Sequence, residues 1–171
     1  VVVLDENGTR LDQFEGFLTD EELLQALTTA VAKRSTLGEL RRKVEEAPQS
    51  AEVRYAAAEK LLEMKNYRKA ADEFSRVIEL DPENRYGRLE SAYYHLALSL
   101  ASLGANESAQ EQLDRLERRF PDGTLAGDAE ILRGQIYFHQ GDPARSRRQL
   151  TAFLRKRPTH PRAALVQTML S

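Results

Sequence analysis

Two spacings constrain this chain more than any other feature. Gly104 and Gly141 lie 37 residues apart, and Pro82, Pro121 and Pro158 follow one another at 39 and 37. Each proline closes a helical hydrophobic pattern about 34 residues long, and a repeat of that period signals helical hairpins that stack on their neighbours. Proline cannot continue a helix and glycine accepts left-handed turn geometry, so the residues that recur are those that end or reverse a helix. The architecture is therefore legible, whereas the ligand is not.

Within the first repeat, Ala51 to Asn84, one helix is expected to about Met64 and a second from Tyr67 to Leu80. Small residues fall where helices must approach closely. Ala58, Ala97 and Gly134 are expected between the two helices of a hairpin, and Ala70 and Ala109 where the second helix meets the next hairpin. Bulky Phe74, Leu113 and Leu150 fill the complementary spaces. Five extra residues, Arg85 to Leu89, precede the second repeat and predict a first helix one turn longer there.

These residues, above all the run AADEFSRVIELDP from Ala70 to Pro82, resemble the tetratricopeptide repeat family. The resemblance implies a mainly α fold over residues 51–171: a right-handed solenoid of about three hairpins, 51–84, 90–123 and 127–160, closed by a polar-faced capping helix over 161–170. Ser146 departs from the family's usual alanine. It further implies a concave groove lined by the first helix of each hairpin, which takes a protein or peptide ligand, as in a scaffold or co-chaperone-like adaptor. Read onto this sequence, the groove residues are Tyr55, Glu59, Leu62, Tyr94, Leu98, Gln135, Phe138 and His139. For Tyr55 and Tyr94 the alternative is packing against the neighbouring helix. Members that clamp a chaperone's terminal carboxylate need Lys and Asn where this chain has Tyr55 and Glu59, so no such clamp is expected.

The first 17 residues have a different pattern. Val1-Val2-Val3-Leu4 is a β-branched run, Glu6-Asn7-Gly8 supplies turn chemistry, and Thr9 to Phe14 alternates toward Phe17, which predicts a β-hairpin. Thr19 with Glu22 forms a capping box that starts a helix to Lys33, with Leu23, Leu24, Leu27 and Val31 on one face. Residues 1–33, with Gly16 near the end of the hairpin, are similar to the last third of a thioredoxin-fold domain, without its redox cysteines or proline loop. Residues 34–50 predict a linking helix, Thr36 to Glu46, or a degenerate repeat with Leu40, Val44 and Pro48 in register. An open Val-Val-Val-Leu strand buries neither face alone. Two readings follow: the chain is the end of a longer thioredoxin-like thiol oxidoreductase whose repeats recruit substrates, or the hairpin stands alone and packs on the first helices or pairs with a second copy.

Chemistry is otherwise sparse. Zero cysteines remove any disulfide or thiolate nucleophile from these residues. His95, His139 and His160 are too far apart for metal spacing, and the glycines form no phosphate loop, so no catalytic residue, metal or cofactor is expected. No apolar run approaches the roughly 20 residues of a membrane span. Charge is uneven: residues 1–30 carry about −6 and residues 141–171 about +6. The basic stretch from Arg145 to Arg162 reads as a solvated face; its alternative, binding of nucleic acid or an acidic surface, has no nucleic-acid motif to support it.

Overall fold

The structure, a computed structural model, describes residues 2–4, 10–13 and 19–171. It divides into two compact units, Val1–Leu89 and Glu90–Ser171.

In the first unit, strands β1 (Val2–Leu4) and β2 (Arg10–Gln13) pair antiparallel, with Val2 opposite Gln13 and a register shift between Val3 and Leu4. The expected turn at Glu6-Asn7-Gly8, together with Phe14, Gly16 and Phe17, lies outside the described residues. Helix α1 (Asp20–Glu46) opens on the capping box read from the sequence: Thr19 Oγ1 accepts from the Glu22 N–H at 3.3 Å, and Glu22 Oε2 accepts from the Thr19 N–H at 2.8 Å. The backbone hydrogen bond to Thr19 holds the Glu22 carboxyl below its ordinary pKa.

Helix α1 then continues for 27 residues without the break expected near 34 and 35. No proline interrupts it, and the single Gly38 costs only about 1 kcal/mol. Leu37, 1% exposed, anchors the second half of the helix in the core and outweighs that preference. The helix stops only at Pro48. Ala47 before it takes φ −133° and ψ 66°, and its N–H reaches Lys43 O. Residues before proline are driven out of helical geometry, and Asp81, Phe120 and Arg157 repeat the same dihedrals before Pro82, Pro121 and Pro158.

Helices α2 (Ala51–Glu63) and α3 (Tyr67–Leu80) form a hairpin around Ala57, Ala58, Leu61, Ala70, Phe74 and Val77, all buried. Arg54 fastens it with NH1 2.7 Å from Glu73 Oε2 and Nε donating to Pro48 O at 2.8 Å. Between the two helices Lys65 adopts φ +54°, the left-handed conformation that Gly104 and Gly141 adopt in the later hairpins.

The five extra residues do not lengthen a helix. Helix α4 (Leu89–Ser102) has 14 residues, as do α3, α5 (Asn106–Arg119), α6 (Ala126–His139) and α7 (Pro143–Lys156). Instead the buried Asp81 carboxylate accepts from the N–H groups of Arg85 and Tyr86 at 2.7 and 2.8 Å, and Asn84 Oδ1 accepts from Leu89 at 2.9 Å. These acceptors hold 81–88 as a wound turn.

In the second unit α6 and α7 pack as a hairpin, and α8 (Ala163–Leu170) covers α7. Ile131, Leu150, Phe153 and Val166 make its core. Ser146 is buried at the position where the family favours alanine. Glu90, at the start of α4, ties down the turn ahead of α6: its Oε1 accepts from the Leu125 N–H at 2.7 Å and its Oε2 from Thr124 Oγ1 at 3.1 Å. The expected polar outer face of the capping helix is not observed. Leu165 and Met169 of α8 are 54% and 43% exposed.

Candidate functional site

The eight residues singled out in the sequence divide between the two units, and each set is described separately. In the first unit Tyr55 lies in the core at 3% exposure. Its ring meets Phe74 edge-on at 5.7 Å and Tyr86 at 6.1 Å, and the Arg88 guanidinium lies 5.8 Å from its centroid. Tyr86 and Arg88 belong to the wound turn, so that turn roofs the position where a ligand would have stood. Glu59 is exposed and Leu62 half-buried on the same helix.

A groove of about 240 Å³ that the sequence reading did not anticipate runs beside the second half of α1, with Leu37, Val44, Ala57 and Leu61 at its floor and charged residues, Arg41 and Glu73 among them, at its rim. The i, i+7 spacing of Leu37 and Val44 was the available signal for its floor.

In the second unit Tyr94 is 8% exposed. Arg162, from the segment before α8, donates to its hydroxyl, and Arg162 Nε lies 3.2 Å from Asp128 Oδ1 at the start of α6. Burial pushes the Tyr94 hydroxyl above its ordinary pKa; Arg162 opposes that shift and Asp128 adds to it. Three chain segments thus converge on one polar contact, in which Arg162 and Asp128 were not singled out as site residues. Beside it His95 sits 5.5 Å from the Tyr94 ring, and burial lowers its pKa.

Leu98 and Gln135 are half-buried. Phe138 and His139, in the last turn of α6, both face solvent, with their rings edge-to-face at 6.0 Å. Phe138 is 62% exposed, which is unusual for so large an apolar side chain. The third histidine, His160, packs edge-on to Phe153 at 5.1 Å, and its Nδ1 accepts from the Arg162 N–H at 3.2 Å. Among the described residues no three His, Asp or Glu side chains gather as metal ligands would.

The tetratricopeptide repeat family model matches residues 55–124 and 131–167. Two solved structures share the fold. One, a crystal structure of MamA, is 14% identical with a TM-score of 0.64, covering 86% of this chain and 80% of its own. Another crystal structure of MamA protein is 22% identical with a TM-score of 0.62, covering 81% and 73%. At these identities the likeness is one of fold alone. None of the curated proteins matches the chain.

Proposed function

Because this chain belongs to the tetratricopeptide repeat family, we propose that it is a protein-interaction module, an adaptor of co-chaperone-like type, that binds an apolar segment of a partner at the end of α6. The observation that carries this reading is the exposure of Phe138. Covering a phenylalanine side chain contributes about 1.5–3 kcal/mol, and a rigid aromatic anchor loses little entropy on binding. His139 against the ring supplies a polar group at the edge of the same contact. Tyr94 is not part of this surface: Arg162 occupies its hydroxyl beside Asp128, at the opposite end of α6 from Phe138.

Panning a peptide library on the chain, followed by calorimetry of the enriched peptides, tests the proposal. Phe138→Ala is expected to weaken them about tenfold, the equivalent of about 1.4 kcal/mol. Failure to enrich any peptide, or equal affinity for Phe138→Ala, would overturn it.

A second reading is favoured by a separate observation. Leu23, Leu24 and Leu27, on the first half of α1, are 37%, 67% and 41% exposed. Under this reading they seat a thioredoxin-like domain whose dithiol acts on proteins recruited by the repeats. The protein isolated from its source would then have a mass well above 19.4 kDa and reduce insulin disulfides. A native mass equal to that of these residues would end this reading.

A further inference from the structure

Three helices of the repeats, α3, α5 and α7, end just before a proline, and they differ sharply in charge. Helix α3 carries three cations and three acids, and α5 three cations and four acids. Helix α7 carries five cations and no acid. Part of that charge is neutralised within the fold. Arg145 Nε lies 3.2 Å from Asp142 Oδ2, and Lys156 Nζ lies 2.9 Å from Glu130 Oε1, which Arg157 also approaches at 3.5 Å.

Arg147, Arg148 and Arg155 remain. All three are exposed, none pairs with an acid among the described residues, and together with Ala144, Thr151 and Ala152 they line a shallow depression on the outer face of α7. We propose that this depression docks an acidic helical segment of a partner protein.

Three features select that occupant. First, Arg147, Thr151 and Arg155 follow one another at i, i+4 and i+8, so the two guanidinium groups are rooted about 12 Å apart along the axis. Glutamates at the same spacing on a facing helix match them, and each guanidinium fork can hold a carboxylate with two hydrogen bonds. Second, the floor between the arginines consists of Ala144, Thr151 and Ala152, which are small enough for another helix backbone to approach closely. Third, the floor lacks what the other anionic partners use. No aromatic side chain lines it for bases to stack on, and no large apolar side chain is offered to a bilayer.

Fluorescence anisotropy tests this with a labelled synthetic helix carrying glutamate at every fourth residue on an alanine-rich background. Binding is expected at low salt and weakens as salt rises. The triple variant R147E/R148E/R155E should lose about tenfold or more in affinity, because it opposes like charges. Phe138→Ala should bind as the parent does, which separates this surface from the one proposed at α6. Circular dichroism should show the triple variant folded, since all three side chains lie outside the core.

The inference fails if the glutamate helix does not bind, or if the triple variant retains its affinity. It also fails if a glutamine version of the peptide binds equally well, or if oligo(dT) or phosphatidylglycerol vesicles bind as tightly as the glutamate helix.

Discussion

Gly134 and Leu150 leave no room for a methyl group between them: a Cβ built on Gly134 would stand 2.6 Å from Leu150 Cδ2 and 2.7 Å from its Cγ. Two opposed effects decide what Gly134→Ala does. Alanine in place of glycine inside a helix gains about 1 kcal/mol, while overpacking a core costs about 1–3 kcal/mol. Leu150 is 2% exposed and sits in the core with Ile131, Phe153 and Val166, so it cannot swing aside freely. Gly134→Ala should therefore lower stability by about 1 kcal/mol, read as an earlier urea midpoint. Shortening Leu150 to valine should remove most of that penalty in a double-mutant cycle. A stabilised Gly134→Ala would mean that Leu150 yields to the added methyl group and that close apposition of α6 and α7 does not require glycine.

Lys65, Gly104 and Gly141 occupy the same left-handed turn in successive hairpins, at φ +54°, +77° and +79°. Only the first carries a side chain, and that conformation costs a non-glycine residue about 1–2 kcal/mol. Glycine removes the strain but returns about 0.5–1 kcal/mol of chain entropy to the unfolded state. Lys65→Gly should thus raise stability by about 0.5 kcal/mol, whereas Gly104→Ala should lower it by about 1 kcal/mol. Thermal melts of the two variants side by side check both signs.

His95 makes stability depend on pH. Burial lowers its pKa in the folded chain, so the unfolded chain binds its proton more readily. As pH falls below about 6.5, the ordinary histidine value, protons drive unfolding, and the loss continues until the folded-state pKa is passed. Urea midpoints should accordingly be lower at mildly acidic than at neutral pH. His95→Gln should flatten that dependence; an unchanged slope would assign it to another group.

What the sequence made legible was whatever a single residue enforces locally. The prolines placed the ends of α1, α3, α5 and α7, because proline dictates the backbone of the residue before it. Thr19 and Glu22 placed the start of α1, and the alanines and Gly134 marked close helix contacts. What stayed hidden depended on residues distant from the position in question. Tyr55 has the register of a ligand residue; packing against a neighbouring helix was its legible alternative, and Phe74 does meet its ring, but the wound turn at Asp81 that brings Tyr86 and Arg88 to the same ring could not be read locally. Arg162 escaped notice as a partner of Tyr94 because the two are 68 positions apart and meet only through the stacking of α4, α6 and the segment before α8. The unbroken course of α1 was missed for a similar reason: local preference at Ser35, Thr36 and Gly38 is weak, and the burial of Leu37 decides.

That unbroken course makes α1 a single continuous shaft. At 1.5 Å per residue its 27 residues span about 40 Å, with the exposed leucines at one end and the buried Leu37 toward the other. Whatever rests on Leu24 is held at a set rotation about the shaft relative to the first repeat. Inserting one residue between Leu27 and Leu37 would turn the leucine face by about 100° while leaving both ends folded. Orientation at that end is thus written into the number of residues between the two, independently of which residues they are.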